Sequence, residues 1–493
     1  MSLPVLNHSV LEHWRSDSTN HVPDSSLFSL PERVIQFGTG VLLRGLPDYY
    51  IDQANKSGMF GGRIVMIKST SQGDTMAYES QDMLYTHTLR GIENGLIKER
   101  DIINASISRV LSAQTQWEDI LDCSRKASIS IVISNTTEQG LSYQSEDMVP
   151  GNAPQSFPAK LYCYLRERYE YFKGDPDKGM VIIPTELVEF NGEKLKDYVI
   201  RHANHHQADE EFITWLKEHN QFCNSLVDRI VPGKPKGRQL QELLDKWKYQ
   251  DDLCIVSEPY GLWAIEGSER IKDKLTFAKV DQGIKIVSDI NSFKELKLRL
   301  LNGTHSLSCG KALTERFITV KDAMSDVSFR GWVEELIHEI EQCIPYPLEP
   351  KVKSDFAHTV IDRFSNPFID HYWKDICMNY TLKLKLRVIP LLMEYQRLYC
   401  RLPDHILEGL AYYFFILSKM QRLEGRLIIQ LEEGVSMDFN DPVIQSLKWW
   451  NTNHDFQENM TALMQDKTIW GMDLTQIDGF VDNVNKKLIG LRG

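Results

Sequence analysis

The stretch RVIQFGTGVLLRG, residues 33–45, decides the fold. RVIQF has the length and apolar content of a short buried strand. GTG follows at 38–40, and VLLRGLPDYYIDQA continues with helical character. A glycine loop between a strand and a helix is the setting of a dinucleotide fold. Gly38 suits the tight turn, Gly40 lets backbone approach a pyrophosphate, and a helix N-terminus favours its negative charge. Gly38, Thr39, Gly40, Val41 and Leu42 are thus the candidate cofactor cradle, and Arg44 is placed to reach phosphate or substrate. Leu43 stands where a third glycine would be, and G-x-G alone occurs in many turns, so the setting carries the weight.

Working outward, RIVMIK (63–68), ISIVISN (129–135), GMVIIPTEL (179–187), LVDRIV (226–231) and LCIVSE (253–258) read as further strands. Helical segments at 157–172, 192–206 and 210–220 separate several of them. Continuous apolar strands alternating with helices predict a parallel sheet covered on both faces. The second strand ends in MIKSTSQGD (66–74). Lys68 and Ser69 stand where an Asp or Glu would read the ribose of NAD, and Asp74 is a weak substitute, so NAD and NADP both fit.

After residue 286 helical patterns take over, at 292–312, 329–343, 352–364, 370–397, 404–423 and 441–465. The expected architecture is α/β: a Rossmann-like dinucleotide-binding domain over residues 1–285, then a mostly all-α substrate-binding domain over 286–493.

Composition narrows the function classes. The 493 residues include 56 Lys+Arg and 68 Asp+Glu, a net charge of −12, which disfavours general nucleic-acid binding. No apolar run reaches the length of a membrane span, and the N-terminal stretch lacks the pattern of a secretory signal. Eight scattered cysteines without C-x-x-C, and no H-E-x-x-H, fit reduced thiols in a cytoplasm and give no metal site.

The second half opens with KLRLLNGTH, 297–305, inside a leucine-rich helix. On a regular α-helix Lys297, Asn302 and His305 lie at about 0°, 140° and 80°, within one arc. An ammonium, an amide and an imidazole facing one volume suit proton transfer to a carbonyl oxygen. The same residues also suit a snorkelling lysine, a helix end at Asn302-Gly303 and a satisfied core histidine.

Six ordered stretches carry a resemblance: RVIQFGTGVLLRG, VISNTTEQG (132–140), FCNSLVDRIV (222–231), KLRLLNGTH with its K-x4-N-x2-H pattern, RFSNPFIDH (363–371) and DLTQIDGFV (473–481). Together they resemble the mannitol dehydrogenase family of long-chain, zinc-independent polyol dehydrogenases, from about residue 32 to the C-terminus. The likeness is to members that act on keto-hexuronates. It implies that Lys297 is the catalytic acid/base, that Asn302 and Asn191 hold the substrate oxygen, that His305 orients the substrate, and that Asp228 supports the site. It also places Asn135 and Thr136 beside the nicotinamide of NAD. No role transfers to Lys294 or Glu295.

The implied chemistry is coherent. Hydride arriving at a ketone carbon leaves developing alkoxide charge, which amide donors and an ammonium stabilise and protonate. In reverse, a neutral lysine takes the alcohol proton, a state favoured by burial or by neighbouring positive charge. A uronate adds a carboxylate at the far end of the chain. Arg363, His371, Lys383 and Arg387 are the cationic candidates for it, the last two sharing a helix face at i, i+4. Two further readings stand beside this one: a different uronate or a neutral polyol as substrate, and a dinucleotide-binding sensor without turnover. No coiled-coil seam is present, and many relatives act as monomers.

Overall fold

A computed structural model describes residues 3–13, 20–70, 75–136, 140–423, 426–432, 435–447 and 456–492. Asp74 and residues 137–139 lie outside the described residues. The chain forms two compact units, Met1–Gly91 with Ile97–Ile290, and Ile92–Leu96 with Asn291–Gly493.

The first unit is built on six parallel strands: β1 (Glu32–Phe37), β2 (Arg63–Lys68), β3 (Ile107–Ser112), β4 (Ile131–Ser134), β5 (Val181–Pro184) and β6 (Gln221–Phe222). Their order is β3-β2-β1-β4-β5-β6. Successive strands step one way from β1 and then, from β4, the other way. The β1–β4 junction is therefore the switch point, where a crevice opens beyond the strand carboxyl ends. Alternate residues serve opposite faces, as the period of two requires. Ile35, Phe37, Val65, Val132 and Ile182 pack into one buried cluster. Val34, Ile64, Ile131, Val181 and Ile183 pack into the other.

The run after the glycine loop is two helices, α1 (Val41–Gly45) and α2 (Pro47–Lys56), separated at Leu46 where φ is −130° and ψ −76°. Pro47 lacks an amide hydrogen and disfavours helical backbone at the residue before it. Two expected strands lie outside the parallel sheet. Ser225–Asp228 pairs antiparallel with Leu262–Glu266, and Ile255–Ser257 pairs with Tyr85–Glu93.

The second unit is largely helical around one extended core. Its first helix is interrupted: α3 (Asn291–Leu296) passes into a π-helical turn, Lys297–Leu301, and then into α4 (Asn302–Thr314). Every α4 residue from Gly303 to Leu313 is buried, so this helix is central, with apolar contacts all round. Then follow α5 (Val327–Gln342), α6 (Pro350–Phe364), α7 (Tyr380–Arg387), α8 (Ile389–Tyr399) and α9 (Asp404–Ser418). The expected helix over 370–397 is thus broken, at Val388 just before Pro390. The pattern expected over 404–423 ends at Ser418. A three-stranded antiparallel sheet, Met420–Leu423, Arg426–Glu432 and Val435–Asp438, follows it.

Candidate active site

The carboxyl ends of β1, β2, β4 and β5 bring together most of the sequence-predicted cofactor residues. Gly38 has φ +127°, and a Cβ there would stand 2.9 Å from both the Asn135 carbonyl oxygen and a Leu43 methyl. Only glycine makes this turn across the switch point. Gly40 caps α1 with ordinary extended backbone, and a Cβ on it would meet nothing within 4 Å. The protein itself does not require Gly40, which leaves a cradle open to a ligand. The Thr39 carbonyl accepts from the Tyr78 hydroxyl, and Val41 and Leu42 are half-buried.

Around this loop the strand ends are stitched together. The Asn135 N–H donates to the Phe37 carbonyl at 3.2 Å, and its side-chain amide donates to the Thr185 carbonyl and hydroxyl at 3.0 Å. The Thr136 N–H donates to Glu186 Oε1 at 2.8 Å, and Ser134 Oγ to Oε2 at 3.2 Å. Burial raises the Glu186 pKa while the bonds from Thr136 and Ser134 oppose it. Sequence reasoning passed over Glu186, although an acid closing a fully apolar strand was the available signal. At the end of β2 the Lys68 ammonium is buried on the Thr70 carbonyl at 2.7 Å. The adjacent Ser69 Oγ is shielded from solvent without a hydrogen-bond partner among the described residues.

Two of the predicted side chains are engaged by backbone carbonyls. Arg44 is turned inward: its guanidinium donates to the Leu253 carbonyl and sits 5.4 Å from the Tyr85 ring, so it does not reach out toward a phosphate. The Tyr85 hydroxyl in turn donates to the Arg44 carbonyl at 2.8 Å. Asn191 is 1 % exposed and its amide is consumed by backbone. Nδ2 donates to the carbonyls of Pro184, Glu186 and Ser225 at 3.0–3.2 Å, while Oδ1 accepts from the amides of Gly192 and Ser225 at 2.9 Å. An amide has two N–H groups, and here none is left for a substrate oxygen. Asp228 is buried at the end of its strand, paired in register with Leu262.

Gln36 donates from Nε2 to Asp48 Oδ2 at 3.3 Å and to the Gly38 carbonyl at 3.4 Å, beneath the glycine loop. Burial pushes the Asp48 carboxyl up to about 8, against the Gln36 bond and the Arg44 charge.

In the second unit the π turn changes the geometry expected of KLRLLNGTH. The Asn302 N–H bonds the Lys297 carbonyl, five residues back instead of four. Residues one hydrogen-bond span apart are surface neighbours, so the extra residue stacks Asn302 against Lys297, and α-helical spacing then carries the face on to His305. Lys297 is half-buried, with Leu296, Leu300 and Leu301 sealed in the core. Asn302 is half-buried too, and its side-chain amide bonds no group among the described residues, in contrast to Asn191.

His305 stacks on Phe364 with ring centroids 4.0 Å apart and meets His371 edge-on at 4.9 Å. Its Nε2 is shielded from solvent without a hydrogen-bond partner among the described residues. Burial, then the positive charge of His371, Arg363, Arg387 and Lys383, pushes its pKa well below 6.5. The ring is therefore neutral at physiological pH. His371 touches this imidazole, and Arg363, Arg387 and Lys383 stand near enough for their charge to act on it. Burial and then Arg387 lower the Lys383 pKa, and burial alone pulls Arg387 down to about 10. Lys383 Nζ donates to the Ile376 carbonyl at 2.9 Å; Arg387 Nη1 donates to Ser306 Oγ at 3.0 Å and to the Asn302 carbonyl at 3.3 Å.

The fold of the two units agrees with the comparisons. The profile of the Mannitol dehydrogenase Rossmann domain matches residues 32–279, and that of the Mannitol dehydrogenase C-terminal domain matches 289–491. An altronate oxidoreductase of Halalkalibacterium halodurans is 37% identical over 97% of this chain and 94% of its own length. One of Bacillus subtilis is 35% identical over 92% and 91%. Among solved structures, substrate-free D-sorbitol dehydrogenase superposes with a TM-score of 0.77 at 18% identity, covering 99% of this chain and 97% of its own. The mannitol 2-dehydrogenase of Pseudomonas fluorescens, in ternary complex with NAD and D-mannitol, gives 0.67 at 21% identity, covering 99% and 96%. With both domain profiles matched in order and relatives above 30% identity over nearly the full length, the chain belongs to the mannitol dehydrogenase family of oxidoreductases.

Proposed function

We propose that this protein interconverts D-tagaturonate and D-altronate with NAD, a reversible step in the breakdown of hexuronates. The observation that carries the reading is the set of three cationic side chains, Arg363, Lys383 and Arg387, that act on His305 beside the largely uncharged His371. Positive charges held where solvent is scarce are costly, and burial lowers the pKa of both Lys383 and Arg387 accordingly. A substrate carboxylate would relieve it, and a neutral polyol would not. The name shared by the relatives at 35–37% identity points to the same kind of substrate.

A nicotinamide dinucleotide, when bound, would supply the hydride chemistry in both directions. The open cradle at Gly40 and the shielded Ser69 hydroxyl fit such a group, with Gly38–Leu42, Lys68, Ser69, Asn135 and Thr136 as the residues that would hold it. Lys297 delivers a proton to the developing alkoxide as acid and takes it back as base. The Asn302 amide holds the same oxygen, and the neutral His305 ring orients a substrate hydroxyl through Nε2. Arg363, His371, Lys383 and Arg387 take the terminal carboxylate.

The test is NADH oxidation followed by absorbance with tagaturonate, fructuronate and fructose in parallel, repeated with NADPH. Preference for tagaturonate with NADH supports the reading. Preference for fructose removes the carboxylate role, and NADH binding without turnover of any ketose leaves a sensor.

A further inference from the structure

The mechanism leaves one arginine of KLRLLNGTH unused. Arg299 lies in the π turn with Lys297 and is buried. Its Nε donates to Glu295 Oε2 at 2.9 Å, one helical turn back. Its Nη1 donates to two carbonyls of α7, Leu386 at 2.6 Å and Arg387 at 3.0 Å. The first of these carbonyls has a specific need. In a continuous helix the Leu386 oxygen would accept from the amide of residue 390, but residue 390 is proline. Arg299 supplies the donor that Pro390 cannot.

The contact is reciprocated. Arg387, whose backbone Arg299 grips, sends its own guanidinium back to the Asn302 carbonyl and to Ser306 Oγ. Ser306 Oγ also donates to the Asn302 carbonyl at 2.9 Å, closing a triangle. Two arginines thus cross between the same two elements in opposite directions. One element carries Lys297 and Asn302, and the other carries Lys383 and Arg387.

We propose that Arg299, held by Glu295, is a positioning residue that fixes the distance between the proton-transfer end of the site and its carboxylate-binding end. It touches no substrate. It sets where the α7 cations stand relative to Lys297, and so which chain length between carbonyl and carboxylate fits. The inference rests on the proposed keto-uronate reading. A paired arginine suits the task, because its planar fork fixes direction at several acceptors at once, whereas an ammonium is a point charge.

The experiment compares kcat and KM for tagaturonate and for fructose in wild type, Arg299→Met, Arg299→Lys and Glu295→Gln, with NADH affinity measured by fluorescence. A displacement of about 1 Å costs on the order of a hundredfold. The expected result is therefore a fall of roughly tenfold to a hundredfold in the tagaturonate-to-fructose ratio of kcat/KM for Arg299→Met, borne mainly by KM for tagaturonate. NADH affinity stays at the wild-type value. Glu295→Gln lowers the ratio less, and Arg299→Lys, which keeps charge but not the fork, lies between. If Arg299→Met does not fold, Glu295→Gln carries the test alone. An unchanged ratio, with both substrates slowed alike, makes Arg299 a purely structural residue and overturns the inference while the keto-uronate reading stands. A wild-type protein with no preference for tagaturonate overturns both, and that is read before any variant.

Discussion

Replacing Asn191 by alanine separates two roles for that residue. As an oxyanion donor it would lower kcat by about a hundredfold to a thousandfold and leave the fold intact. The structure gives it a different task. Asn191 joins the end of β5, through Pro184 and Glu186, to the strand that starts at Ser225, using both ends of a buried amide. Truncation leaves the Ser225 amide without the Oδ1 acceptor and takes a donor from three carbonyls. Some of the loss is shared: Pro184 also accepts from Ser225 Oγ, Glu186 from the Val188 amide, and Gly192 also donates to Asn224 Oδ1. A buried polar group stripped of its partner costs about 1–3 kcal/mol, so one or two effective losses predict a destabilisation of roughly 2–4 kcal/mol. At about 2–4 °C per kcal/mol for domains of a few hundred residues, the melting transition moves down by roughly 5–15 °C. Circular dichroism melts and kcat at a temperature well below the new transition are the two measurements. A large fall in Tm is expected, with kcat within about threefold of wild type. An unmoved Tm with kcat down a hundredfold would refute the structural role and return Asn191 to the substrate oxygen.

Three further predictions follow from single contacts. Gly40→Ala leaves stability unchanged, because its Cβ meets nothing, yet weakens NADH binding measured by fluorescence; Gly38→Ala loses both, since its Cβ would press on the Asn135 carbonyl oxygen. A Gly40→Ala variant with full NADH affinity would remove the loop from the cofactor site. Arg387→Met removes a charge-assisted bond worth about 1.5–3 kcal/mol, so kcat/KM for tagaturonate falls roughly tenfold to a hundredfold while that for fructose changes little. Equal losses for both substrates would remove Arg387 from carboxylate recognition. The Asp48 carboxyl, at about 8 in the fold against 3.8 unfolded, holds a proton that the unfolded chain has released between those values. Stability therefore declines as pH rises through that window, by up to about 1.4 kcal/mol per unit, and levels off above it. Urea unfolding across pH should show a shallower decline for Asp48→Asn; parallel profiles for variant and wild type would contradict the buried neutral acid.

The fold was most legible where burial is complete. Ile64–Ile67 and Ile131–Ile133 are apolar without interruption because both faces of a parallel sheet are covered, and such runs admit few other readings. Tyr85–Glu93 and Leu96–Asn104 were passed over because YTHTLRGIE and LIKERDIIN mix charge with apolar residues. The Asn94-Gly95 pair between them, both at positive φ, was the hairpin signal to have read. In the site, residue types were legible and their availability was not. Arg44 and Asn191 have suitable groups, but packing decides whether a guanidinium or an amide is spent on backbone. The π turn was equally hidden, because an angular reckoning at a fixed rotation per residue assumes the regular helix that Asn302 departs from. The cluster around His305 needed the tertiary fold, which brings the end of α6 and the segment at His371 against the imidazole and the charges of α7 near it.

The central claim is that Arg363, Lys383 and Arg387 select a carboxylate-bearing ketose. The most direct measurement is the ratio of kcat/KM for tagaturonate to that for fructose, with NADH at saturation and ionic strength held constant. The expected ratio is well above one and falls when Arg387 or Lys383 is neutralised. A ratio at or below one, unmoved by those substitutions, would contradict it.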